Sequence, residues 1–242
     1  MLQKQEAMDM RYRVFEEQFT RRALQHPLWK HPWFKLIETQ PTLALLRVWA
    51  IQAGMIDEIF GRILTTLRNN PLVPNRAHGI IQRNIVDELG NGNPKAEHFQ
   101  LFQGVLATVG VSLRTYRHAP ALTGTRVILQ GLQNAVAGDP VRALATMASE
   151  EFICPREFPR LMTALKRVRS GEPATWSPYF TVHCEADVGH SIDLLRELHM
   201  LCKNDRALRE RARASQAEDL TWNVAFYDSL LLEAIRAGHL PP

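Results

Sequence analysis

Apolar residues along this chain recur every three or four positions, and strand-like alternation is nearly absent, so the pattern predicts helices throughout. Residues 4 to 24 read as a polar-faced helix ending near His26-Pro27. Residues 26 to 34 hold two X-Pro steps among Trp29, Trp33 and Phe34, which predicts a loop pinned onto the core. Residues 43 to 69 form a long helix with Leu45, Leu46, Trp49, Ala53, Ile56, Ile59, Phe60 and Ile63 on its buried side, closed by Pro71 and Pro74. Further helices are expected over residues 75–89, 94–109, 121–137, 140–153 and 156–169. A Ser170-Gly171-Glu172-Pro173 turn then leads into a helix over 178–203 and a last one over 205–237. No repeat and no long linker divides the chain, so the expectation is one all-α helical bundle, residues 1–242, as a single domain.

Composition narrows the classes of function. The 242 residues carry a net charge of +4, and the basic clusters Arg21-Arg22 and Arg206 to Arg213 read as solvated helix faces. No nucleic-acid partner is expected from that. Cys154, Cys184 and Cys202 have no CxxC spacing, which suggests reduced thiols and a cytoplasmic protein. The start of the chain lacks the apolar core of a signal peptide, and the apolar stretch 43–60 is interrupted by Arg47, Asp57 and Glu58, so no membrane partner is expected.

Polar residues on otherwise apolar stripes carry the candidate chemistry. His183, Asp187 and His190 are spaced four and then three apart, on one helical face that continues through Leu194. Buried polar groups must be satisfied, by a hydrogen-bonded cluster or by a bound cation. Ile81, Ile85 and Glu88 form a stripe that turns Glu88 inward, while Asp87 falls off it and reads as solvated. His98 shares a face with Leu101, Phe102 and Val105, after a break at Gly90-Asn91-Gly92-Asn93-Pro94 in which Asn93 suits an N-cap and Pro94 a first helical position. Leu144, Met147 and Glu151 make a third stripe, with Glu150 about 100° away and the weaker candidate.

Glu88, His98, Glu151, His183, Asp187 and His190 therefore supply three carboxylates and three imidazoles from four helices. That set suits two divalent ions better than one, with Glu151 as the expected bridging carboxylate. The absence of sulfur argues against structural zinc. The absence of any Glu-x-x-His argues against the ferritin-like pattern.

Asn84-Ile85-Val86-Asp87-Glu88-Leu89-Gly90, then His98 and Leu101-Phe102, then Glu151, then His183-x3-Asp187-x2-His190 resembles the haem-oxygenase-like diiron oxidases and oxygenases. The resemblance covers about residues 25 to 203, and its last triplet is the most specific part. It implies a haem-oxygenase-like helical bundle, two Fe(II)/Fe(III) ions held by those six residues, and dioxygen as co-substrate. It implies C–C cleavage, desaturation or N-oxygenation of a small amino-acid-derived or fatty-acid substrate, in natural-product biosynthesis. Trp49, Gln52, Met55 and Phe60 are the candidate pocket residues. Cys184, Glu185, Trp222 and Tyr227 are read as bystanders or packing. A homodimer is compatible with such a bundle. The alternatives are a metal-free thiaminase-like or quinone-cofactor-oxidase-like enzyme on the same scaffold, and a non-enzymatic iron-binding helical protein.

Overall fold

The computed structural model describes residues 2–168, 175–203 and 205–239, and among them it contains helices and no strand. In chain order these are α1 (Leu2–Gln25), α2 (Pro32–Thr39), α3 (Leu43–Asn69), α4 (Asn75–Glu88), α5 (His98–Thr108), α6 (Leu113–His118), α7 (Thr123–Ala137), α8 (Pro140–Val168), α9 (Ser177–Cys202) and α10 (Arg206–Arg236). The turn expected at 170–173 lies outside the described residues. None of the described helices is long and apolar enough to cross a membrane.

Helix starts follow local chemistry. Thr42 Oγ1 accepts from the Leu45 amide at 3.2 Å to open α3, and Asp205 accepts from the Ala207 and Leu208 amides to open α10. The segment expected as a loop at 26–34 is a 3-10 turn, Pro27–Lys30, followed by α2. His31 opens α2: its Nδ1 accepts from the Trp33 amide at 3.1 Å, and its Nε2 lies 3.1 Å from Asp228 of α10. Both prolines there occupy first-turn positions, where a missing N–H costs nothing. The short α6 is not expected from the pattern; Ser112 caps it, and Tyr116 is its one buried residue.

The expected pair of helices 140–153 and 156–169 is one continuous helix, α8, with Pro155 and Pro159 inside it. It is buried all round from Ala143 to Ile153, which marks it as the centre of the bundle. It packs along α9 on one side and against α7 and α10 on the other. Packing over that length outweighs the lost hydrogen bond and ring clash at each proline, about 3 kcal/mol apiece.

Close approach and turn geometry both depend on glycine. At Gly124 a Cβ would sit 2.1 Å from the Ala225 carbonyl oxygen, so α7 and α10 can touch only because no side chain intervenes. Gly90, Asn91 and Gly92 all have positive φ (76°, 54° and 82°), and they reverse the chain between α4 and α5. Asn93 and Pro94 cap a 3-10 turn, Pro94–Ala96, rather than α5 itself. His98 is consequently the first residue of α5, aimed back at the end of α4.

Candidate metal centre

Four helices bring the six expected donors together in two triads. Glu88 (α4), His98 (α5) and His183 (α9) form one, and Glu151 (α8), Asp187 and His190 (α9) form the other. Within each triad one donor atom from every residue lies within 4.8 Å of the others. Five of the six side chains are buried and His190 is partly so. Glu88, Glu151, His183 and Asp187 line one cavity, bounded also by Trp49, Phe60, Cys154 and Phe158.

The first triad holds an unsatisfied donor. His98 Nδ1 pairs with Glu88 Oε2 at 2.7 Å, and Nε2 of this fully buried histidine has no hydrogen-bond partner. The His98 and His183 rings pack with centroids 4.3 Å apart. His183 Nδ1 donates to the Tyr179 carbonyl at 2.8 Å, which leaves Nε2 as its lone-pair nitrogen. Burial first, and then the neighbouring His98, pulls the His183 imidazole down to about 3, so this ring is neutral. Burial lowers His98 too, but Glu88 raises it further, and the net shift is upward.

The second triad is built around His190. Its Nδ1 faces Glu151 Oε2 at 3.4 Å and Asp187 Oδ1 at 3.8 Å. Its Nε2 pairs with Asp87 Oδ2 at 2.9 Å. Burial lowers this imidazole, yet Glu151 and Asp87 together raise it to about 9. Burial pushes the Asp187 carboxyl well above its ordinary range, and Glu151 and Glu88 push the same way.

The sequence reading missed three functional neighbours. Asp57 of α3, read as an interruption of an apolar stretch, is buried beside the first triad. Its Oδ1 accepts from the Tyr179 hydroxyl at 2.9 Å and lies 4.0 Å from His183 Nε2, and its Oδ2 has no partner. Burial, then Glu88, raises its carboxyl well above the usual value. Its position four residues after Ala53 and three before Phe60 was the available signal. Asp87, expected as solvated, is half-buried and orients His190. Glu157, two turns along α8 from Glu150, is buried in the cavity wall and accepts from Trp49 Nε1 at 3.3 Å.

Of the four expected pocket residues, Trp49 and Phe60 line the cavity and Gln52 and Met55 do not. Gln52 instead ties a loop to α3. Its amide donates to the Pro120 carbonyl at 3.1 Å and accepts from the Leu122 amide and the Thr125 hydroxyl. Met55 packs against the general core. Tyr227, expected as packing, lines the cavity, whereas Cys184 and Glu185 do not.

This donor set fits divalent iron: imidazole and carboxylate with no thiolate in either triad, and a buried His98 Nε2 with no protein partner. Comparison with known proteins agrees. A family model described as an iron-containing redox enzyme matches residues 47–220. A CADD-like protein of unknown function from Nostoc punctiforme PCC 73102 superposes with a TM-score of 0.77 at 15% identity, over 96% of this chain and 100% of that one. A domain of unknown function with a heme oxygenase-like fold, from Shewanella denitrificans OS217, gives 0.73 at 15% identity, over 100% and 97%. A TenA homolog from Pseudomonas syringae pv. tomato str. DC3000 gives 0.69 at 13% identity, over 93% of each chain. No curated protein matches. The fold is haem-oxygenase-like and all-α.

Proposed function

Because this chain belongs to the iron-containing redox enzyme family, we propose that it is a non-haem diiron oxidoreductase that uses dioxygen on a small molecule. The observation that carries the reading is the pair of buried N/O triads facing one cavity. Glu88, His98 and His183 would hold one iron, and Glu151, Asp187 and His190 the other. Asp57 adds a further carboxylate at the first position. When bound, such a pair supplies the electron-transfer chemistry with dioxygen that no side chain here can perform.

The remaining work falls to the chain. The Tyr179 carbonyl and Asp87 orient His183 and His190, as outer partners of ligating histidines do. Trp49, Phe60, Ile128 and Phe226 give the cavity an apolar wall that orients substrate and excludes water. The same reading takes one domain, a cytoplasmic setting, a biosynthetic role, and no nucleic-acid or membrane partner.

A second reading is a metal-free hydrolase with a cysteine nucleophile. Cys154 lines the cavity, and one structural neighbour is a TenA homolog. Burial, with Asp187 and Glu157 nearby, pushes the Cys154 thiol well above its ordinary range, the reverse of what a thiolate nucleophile needs. Anaerobic calorimetric titration of the metal-free protein with Fe(II) separates the two. The diiron reading expects two ions per chain, with one lost in His183→Ala and one in Glu151→Ala. No iron uptake, or uptake indifferent to both substitutions, refutes it.

A further inference from the structure

The cavity carries a second set of polar groups that the triads do not use. Glu150 and Glu157 of α8 and Asn223 and Tyr227 of α10 all line it. These are mainly hydrogen-bond acceptors. Both carboxyls are buried, and among the described residues no Lys or Arg lines the cavity. Arg160, one turn after Glu157, is turned away: it pairs with Glu38 at 3.2 Å and lies over the Phe34 ring.

The hydrogen bonds around these groups are incomplete. Glu157 accepts one bond, from Trp49 Nε1. The Tyr227 hydroxyl is fully buried beside Glu157 and has no well-formed partner. Asn223 donates to Glu150 Oε1 at 3.1 Å, and among the described residues nothing donates to its own amide oxygen. Two divalent ions would offset the charges of Glu88, Glu151, Asp187 and Asp57. Glu150 is held by Asn223 and by the buried Asp219 carboxyl, so Glu157, once ionised, is the group left without a counter-charge. A buried charge without a partner is costly, so a complementary group belongs there.

We propose that this acidic wall binds the ammonium group of an amine substrate, with Glu157 as the anchor. Tyr227, Asn223 and Glu150 complete its hydrogen bonds. The inference rests on the reading of this cavity as the substrate pocket of the iron site. Glu157 is six residues from Glu151 along α8, about 9 Å along the helix axis. An amine anchored there lays its carbon chain along Phe60, Ile128 and Phe226 toward the triads. A fatty acid fits poorly, because its alkyl tail would end against two carboxyls if its head group faced the metals.

The test is calorimetric titration of the full chain with hexylamine, hexan-1-ol and hexanoate at about pH 8, with and without Fe(II) under anaerobic conditions. Charge-assisted hydrogen bonds predict hexylamine binding at least about tenfold more tightly than hexan-1-ol in both states, and more tightly than hexanoate in the metal-free state. In the iron-loaded state the triads are neutralised, so the surviving preference reports the acidic wall. Glu157→Gln should bring hexylamine down to the level of hexan-1-ol while hexan-1-ol binding stays unchanged.

Equal binding of amine and alcohol overturns the proposal, as does a preference that survives Glu157→Gln or no binding of any probe. The ranking with the unsubstituted chain decides the matter even where the variant fails to fold. Iron uptake without an amine preference refutes this proposal and leaves the diiron reading standing. An amine preference without iron uptake does the reverse.

Discussion

Replacing Glu157 with Gln should stabilise the free protein at alkaline pH and leave it nearly unchanged in mild acid. Burial raises the Glu157 carboxyl from 4.5 to about 7, although the adjacent Tyr227 hydroxyl and Trp49 N–H pull the other way. A carboxyl raised on folding contributes stability that is fully present below its unfolded value and is lost as pH rises through its folded value. The window is therefore 4.5 to about 7. At about 1.4 kcal/mol per pH unit the loss is about 3 kcal/mol. That is a large share of a typical total of about 5–15 kcal/mol.

Glutamine keeps the size of the side chain and an acceptor oxygen for Trp49 Nε1, but it cannot ionise. Urea unfolding followed by circular dichroism, at about pH 5 and about pH 8, measures the difference between Glu157→Gln and the unsubstituted chain. The two should agree within about 1 kcal/mol at the lower pH. At the higher pH the variant should be more stable by about 3 kcal/mol, or melt roughly 6–12 °C higher for a chain of this size. Titrating groups distant from Glu157 cancel in the difference because both proteins carry them. A stability difference that does not change with pH would refute the assignment of a buried, proton-holding Glu157.

Two further outcomes follow from particular contacts. Asp87→Asn weakens the hydrogen bond that orients His190, so calorimetry with Fe(II) should show one of two binding steps weakened by about 10–100-fold, the other unaffected. Gly124→Ala forces α7 away from the Ala225 carbonyl, and thermal unfolding should register a loss of about 1–3 kcal/mol.

Much of the fold was legible because caps and periodicity agree. The limits expected for α3, 43 to 69, are those observed, since Thr42 caps its start and Pro71 and Pro74 follow its end. The split expected in α8 fails for a physical reason: a propensity argument prices Pro155 and Pro159 locally, whereas burial on all sides of this helix is a property of the assembled bundle. The short α6 has too little apolar surface to show periodicity. Within the site, the six stripe positions on α4, α5, α8 and α9 come together. Asp87 was missed because its partner is on another helix, and no spacing along α4 reports a contact with α9. Gln52 misled the reading in the opposite sense: a polar residue on a buried face suggested a pocket, and it is consumed by the carbonyl of Pro120 in a distant loop.

The bond from His183 Nδ1 to the Tyr179 carbonyl has one further consequence. The helix supplies that carbonyl from four residues upstream, so the tautomer and tilt of the ring are set when α9 forms. The rotational entropy of the imidazole is spent during folding, before any cation arrives. This edge of the site is therefore preorganised, with its nitrogen waiting at a fixed point. Under the diiron reading a metal would have to come to that nitrogen, so position as well as binding strength would decide which cation is held.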